Sequence, residues 1–245
     1  ETTTGAPRND PPSDRRVTII SDSAMAGVRW NHALDGFEGF EAIAHLESCR
    51  RLVEWSCRGR EGYAPKTARN HVESLPPAGP EDLLVIAVGY NDWHSSFSRD
   101  FDLVVDAGRR KGFHHIVWVD YRSDVGYSLP GSGGSRSNYA EMNRVLAEKL
   151  GSGAFPDVRR WRFNEYTAHS TGWFTSDGVH ETTLGSWGVT DYISRHVRAF
   201  DDRPCVRPWQ VGGQVEDPCP NPDEVVAGRG VPNIAALYAA ELAAG

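Results

Sequence analysis

Leu83-Leu84-Val85-Ile86-Ala87-Val88, followed directly by Gly89-Tyr90-Asn91-Asp92, is the stretch on which the fold turns. An unbroken apolar, partly β-branched run closed by a turn signal reads as a strand buried on both faces, and parallel sheets are built from such strands. Working outward, Val17–Ile20 reads as a short buried strand, Ile116–Val119 as another, Val158–Phe163 as a fifth, and Glu41–Leu46 alternates weakly and could be the next after the first. Helical stretches lie between them. Ala24–Leu34 follows the first strand, and Pro65–Ser74 is stopped by Pro76-Pro77. Phe97–Lys111 carries Phe101, Val104 and Val105 at helical spacing and ends at Gly112. Asn138–Leu150 sets Met142, Leu146 and Leu150 on one face, and Leu184–Phe200 is the last helix, its start weakened by Gly185 and Gly188. Tyr121–Ser137 is a Gly/Ser-rich loop. Strands alternating with helices predict an α/β domain with five parallel strands and helices on both faces. Ligands of such sheets bind at the carboxyl ends of the strands.

The chemistry-bearing motifs sit at those ends. The first strand runs into Ser21-Asp22-Ser23-Ala24-Met25, where a serine at a strand-to-helix turn gains from the helix N-terminus; taken alone it reads as an N-cap. Asn91 after the central strand offers an amide N–H to a developing oxyanion, or merely fills a turn. Asp177-Gly178-Val179-His180 spaces a carboxylate three residues from an imidazole, so one turn can fix the tautomer. Together they supply nucleophile, donor, base and orienting acid, the inventory for acyl transfer.

Composition narrows the alternatives. The 245 residues, 39% hydrophobic, suit one α/β domain with an appendage. Lys and Arg total 26 against 33 Asp and Glu, net −7, with no basic stripe, which disfavours nucleic acid. No apolar stretch approaches the roughly 18 residues of a membrane span. Residues 1–16, Thr-, Pro- and Asp-rich, read as a flexible tether such as leader removal leaves. Residues 201–245 hold six prolines between Pro204 and Pro232 and then an apolar Ile234–Leu242 run, reading as a largely irregular extension closed by a short helix and packed on the domain. Cys49, Cys57, Cys205 and Cys219 include no C-x-x-C pair, which argues against zinc and redox motifs. Of three possible pairings the sequence-local Cys49–Cys57 and Cys205–Cys219 are favoured over free thiols, and they imply an extracytoplasmic site. No G-x-S-x-G elbow exists, Gly131–Gly134 lacks a P-loop's G-K-[ST], and His114-His115 reads as structural.

The conjunction of motifs resembles the SGNH (GDSL-type) hydrolases. Ser23, Asn91, Asp177 and His180 match that family's blocks one by one over about Val17–Phe200, and Asp92 completes G-x-N-D. Ser21 departs from the glycine of G-D-S. The resemblance implies a flavodoxin-like three-layer sandwich over 17–200 and a serine esterase needing no metal or organic cofactor. Ser23 is then nucleophile, His180 base and Asp177 orienter. Gly59 fits the second-block glycine best, with Gly62 next, and would line the oxyanion hole with Asn91 and the Ser23 amide. Gly-Arg in the second block and Trp173-Phe174 before D-x-x-H look like extracytoplasmic bacterial cell-envelope members. The implied substrate is an acyl ester on a carbohydrate or envelope glycolipid. Acyl transfer to a sugar hydroxyl and an idle glycan-binding module are the rivals. Met25, Tyr90, Trp93, Arg122, Trp173 and Val179 are candidates for the substrate pocket.

Overall fold

The computed structural model describes residues 13–123, 136–168, 170–207, 210–211, 214–215, 218–229 and 232–244. Its centre is a five-stranded, wholly parallel sheet of β1 (Ser13–Ser21), β2 (Phe40–Leu46), β3 (Leu83–Ala87), β4 (His115–Val119) and β5 (Val158–Trp161), in the order β2-β1-β3-β4-β5. The register sets Ile19 opposite Val85, Val85 opposite Val117, and Ser21 opposite Ala87 at the carboxyl ends. Every residue of β3 is buried, as its unbroken apolar run predicts.

Strand side chains alternate between two cores. Val17, Ile19, Leu83, Val85, Val117 and Val119 face α1 (Ser23–Trp30) and α6 (Thr183–Phe200). Ile20, Leu84, Ile86, Ile116 and Trp118 face α2 (Ala68–Ser74), α3 (His94–Arg110) and α4 (Arg136–Gly151). This is the three-layer sandwich expected from the alternation. A short α5 (Phe163–Tyr166) follows β5.

Several boundaries move: β5 ends at Trp161, with Phe163 already in α5, α3 begins at His94 and α2 at Ala68. Strand β1 starts at Ser13, and Arg16 pairs with Glu41 in register, so residues 13–16 belong to the sheet rather than to a tether. Arg15 donates to Asp201 at 2.7 Å and Arg16 to Asp82 at 3.0 Å, which ties down this end of the strand. Residues 1–12 of the predicted tether, and most of the Tyr121–Ser137 loop, lie outside the described residues. The helix predicted to reach Leu34 ends at Trp30, because His32 takes a left-handed φ of 53°.

The extension is more regular than its prolines suggest. It holds a two-residue strand pair, β6 (Gln210–Val211) with β7 (Gln214–Val215), then α7 (Pro222–Arg229), α8 (Ile234–Leu237) and α9 (Ala239–Ala244). It packs on α6: the Tyr192 hydroxyl donates to Asp223 at 2.9 Å and the Tyr238 hydroxyl to Asp191 at 3.1 Å. Both favoured disulfides, Cys49–Cys57 and Cys205–Cys219, are formed.

Candidate active site

At the carboxyl end of β1 the chain turns straight into α1, and Asp22 holds the turn. Its Oδ1 accepts from Ala24 N at 2.9 Å as an N-cap, while its Oδ2 accepts from Gly89 N and Tyr90 N, both at 2.9 Å. One carboxyl therefore ties the β1–α1 turn to the β3–α3 loop. It is fully buried, and burial raises its pKa above the ordinary value although the three N–H donors and His180 oppose the rise. Ser21, where the G-D-S pattern has glycine, is accommodated: its Oγ donates to Ala87 O at 2.9 Å, adding a rung between β1 and β3. Gly89 has φ +147°, and a Cβ there would lie 2.3 Å from the Tyr121 hydroxyl oxygen, so this motif position requires glycine.

Ser23 is thus presented, half-buried, as the first residue of α1. Its Oγ lies 3.0 Å from His180 Nε2, and His180 Nδ1 lies 2.7 Å from Asp177 Oδ2. The other oxygen, Asp177 Oδ1, accepts from Val179 N at 2.8 Å, His180 N at 2.9 Å and the Thr175 hydroxyl at 2.9 Å. Burial raises the Asp177 pKa, but the His180 ring, the two N–H groups and the hydroxyl outweigh it. The carboxyl sits below the usual carboxylate range. Gly178 closes the turn at φ +75°. Three groups separated in the chain stand in one hydrogen-bonded series, the arrangement in which a hydroxyl can pass its proton to an imidazole.

Asn91 faces the same end of the sheet. Its Nδ2 donates to Arg50 O at 3.1 Å, leaving its second N–H for another acceptor. Arg50 is fully buried. Its guanidinium donates to Ser21 O at 3.1 Å and Lys66 O at 2.7 Å and pairs with Glu47. Asp92, also buried, accepts from Leu52 N at 3.1 Å and Arg51 Nε at 3.3 Å, and burial pushes its carboxyl up to about 7 against the pull of Arg51.

Gly59 offers no free N–H. Its N–H is spent on Tyr63 O at 2.8 Å, and that of Gly62 on Gly59 O at 3.1 Å. The backbone next to Asn91 is that of Cys49 and Arg50. Among the described residues neither of their N–H groups has a protein acceptor. Cys49 takes a left-handed φ of +66°, a conformation a glycine scan of the sequence does not reveal.

The pocket candidates divide. Met25, Tyr90 and Val179 line a cavity of about 20 Å³ with Ala24, Phe174 and Glu181. Glu181 is buried and burial raises its pKa well above normal; Ser186 Oγ donates to it at 3.3 Å. Arg122 borders this region, donating to Gly178 O at 2.8 Å and lying 4.4 Å from the Phe174 ring centroid. Trp93 is exposed at the N-terminus of α3. Trp173 does not line this cavity. It is buried in the core against α6, where a Cβ on Gly185 would fall 1.8 Å from its carbonyl oxygen and one on Gly188 2.5 Å from its ring. Of the two glycines that weaken the helix on paper, Gly185 makes room for the Trp173 backbone and Gly188 for its indole.

No protein-family model and no curated protein matches the chain. Solved structures do. An inhibitor-bound aryl esterase of M. smegmatis is 16% identical with a TM-score of 0.53, the match covering 75% of this chain and 98% of that one. A carbohydrate acetylesterase from Sinorhizobium meliloti is 14% identical with a TM-score of 0.53, covering 76% of this chain and 100% of its own. With the strand order and the motif positions, these likenesses define the fold as that of the SGNH (GDSL-type) hydrolases.

Proposed function

We propose that the protein is a serine esterase acting on short acyl esters, carried on a carbohydrate or an envelope glycolipid. The observation that carries this reading is the Ser23–His180–Asp177 series at the carboxyl ends of β1 and β3. Ser23 Oγ attacks the ester carbonyl as His180 Nε2 takes its proton, and the same imidazole returns it to the leaving alkoxide. Water activated by His180 then hydrolyses the acyl-enzyme. Asp177, held ionised by its donors, keeps Nδ1 protonated and stabilises the imidazolium. The tetrahedral oxyanion is met by the Asn91 amide, the Ser23 N–H at the start of α1 and the Cys49–Arg50 backbone, the last taking the role expected of Gly59.

Two features favour hydrolysis of a short acyl group. The cavity lined by Ala24 and Val179, the chain neighbours of Ser23 and His180, is small, which suits a methyl better than a long chain. The His180 side chain is 39% exposed, so water reaches the base, which favours hydrolysis over transfer to a sugar. The intact hydrogen-bonded series speaks against an idle binding module. Likeness to an aryl esterase and a carbohydrate acetylesterase supports the reaction class. The two disulfides support an extracytoplasmic site. The test is turnover of 4-nitrophenyl esters from acetyl to octanoyl. Highest kcat/KM on the acetate is the outcome this reading requires. Preference for octanoate would remove the short-acyl assignment, and no turnover of any ester would remove the esterase.

A further inference from the structure

Large aromatic side chains fully in water are uncommon in a folded domain, and where they cluster they mark a contact surface. The Trp55 side chain is 91% exposed and Trp93 48%. Their segments meet at Asp92, the residue after Asn91, where Arg51 and Leu52 donate to its carboxylate. Trp93 is two residues from Asn91, so its Cα lies within about 7 Å of the Asn91 Cα. Trp55 belongs to the loop closed by Cys49–Cys57, four residues from Arg51, hence within about 14 Å of it along the chain.

That loop is fastened to the start of α3 at three points. Asp92 accepts from Leu52 N and Arg51, and Arg99 pairs with Glu54 at 2.9 Å, the residue next to Trp55. The disulfide closes the ring behind it. Trp55, almost wholly in water, and the half-exposed Trp93 therefore sit on a fastened frame, so binding a ligand there costs little ordering entropy. Continuing along the same segment, Tyr63 is 49% exposed. Arg58 and Arg60 form no ion pair among the described residues. Arg58 donates to Gly62 O at 2.7 Å and Arg60 lies 4.6 Å from the Trp30 ring centroid.

Flat aromatic faces interleaved with hydrogen-bonding cations suit a chain of sugar rings. The C–H faces of a sugar ring stack on indole, and its hydroxyl or acid groups accept from guanidinium. We infer that the Trp93–Trp55 rim is a glycan-binding subsite that holds a polysaccharide so that an ester on one of its sugars reaches Ser23. The inference rests on the esterase reading for its orientation, but the binding itself is separable from it.

The experiment is affinity electrophoresis of the full chain carrying Ser23→Ala in gels containing acetylxylan, O-acetylated peptidoglycan or acetylated pectin, with Trp55→Ala and Trp93→Ala added singly. Because the parent is inactive, catalysis plays no part in this readout. Retardation by at least one polysaccharide, weakened about tenfold in apparent Kd by each Trp substitution and partly restored by Trp55→Phe, is the expected result. Retardation by none of the three, or equal retardation of parent and variants, overturns the subsite. Trp55-dependent co-sedimentation with phosphatidylglycerol–phosphatidylcholine vesicles, without polysaccharide binding, overturns it in favour of a membrane contact. In the active protein, the ratio of kcat/KM on the retarding polysaccharide to that on 4-nitrophenyl acetate should fall about tenfold in Trp55→Ala. Failure of the wild type on every ester would instead count against the esterase, and the gel result would still stand.

Discussion

Asn91→Ala separates a transition-state donor from a turn residue. The side chain has one observed bond, Nδ2 to Arg50 O at 3.1 Å, at a half-buried position. Losing a single neutral hydrogen bond costs about 1 kcal/mol of stability. For a chain of this size that lowers Tm by about 2–4 °C. Against a folding stability of about 5–15 kcal/mol, such a loss leaves the protein folded at 25 °C. Removing an oxyanion donor costs about 2.7–4 kcal/mol in the barrier, a factor of about 10²–10³ in kcat. The two effects therefore differ enough to be told apart. The assay is kcat and KM on 4-nitrophenyl acetate beside thermal unfolding of the same preparation. The account requires kcat to fall by about 10²–10³ with KM little changed and Tm lowered by only a few degrees. Asn91→Asp, which keeps the size but puts an acceptor where a donor is needed, should do at least as badly. A kcat within about threefold of wild type would refute the oxyanion role, since even one weak donor is worth more than that. So would a kcat loss seen only in protein that has already unfolded.

Two further outcomes follow from the same geometry. Asp177→Asn should lower kcat by about 10²–10⁴ while Tm changes little, because Asn Oδ1 can still accept from Val179 N and His180 N but its amide no longer accepts from Nδ1; wild-type turnover in this variant would reduce the machinery to a Ser23–His180 dyad. His71 packs on His45 with ring centroids 4.2 Å apart, and burial, with Arg50, His45 and Lys66, pushes its pKa down to about 3. A base depressed in the folded state gives stability that is full above its unfolded pKa of about 6.5 and is lost as pH falls from there toward 3. At pH 5 the loss is on the order of 2 kcal/mol, so His71→Gln should reduce the wild-type drop in stability between pH 7.5 and pH 5 by about that amount. The buried carboxyls Asp92 and Asp120, raised to about 7 and about 6, tilt the curve the other way but equally in both proteins. Parallel stability curves would show that His71 is not buried as described.

What was legible in the sequence was what is local. The run Leu83–Val88 carries its own period and marks the sheet's centre, and Asp177 with His180 makes a self-contained turn. Cys49 and Cys57 pair across a short loop for the same reason. What was hidden depends on distant partners. Gly185 and Gly188 read as helix breakers because Trp173, whose carbonyl the first admits and whose indole the second admits, belongs to another segment. Arg50, a fully buried cation, is noticed only once Ser21 O and Lys66 O are seen to accept from it. The second-block pattern points to glycine and so to Gly59, whereas the backbone beside Asn91 belongs to Arg50 and follows a left-handed Cys49. Asp22 was legible as part of a motif, but its reach to Gly89 and Tyr90 follows from β1 and β3 being neighbours. The helices of the extension were masked by prolines that sit at their ends rather than inside them, as Pro222 opens α7.

The central claim is that Ser23 is a nucleophile activated by His180, and covalent labelling measures it directly. The protein is treated with a fluorophosphonate and digested, and the modified peptide is located by mass spectrometry. The account predicts one adduct, on Ser23, formed in step with loss of esterase activity and slowed strongly by His180→Ala. Full inactivation with the adduct on another serine, or an unlabelled Ser23 in an enzyme that still turns over ester, would contradict it.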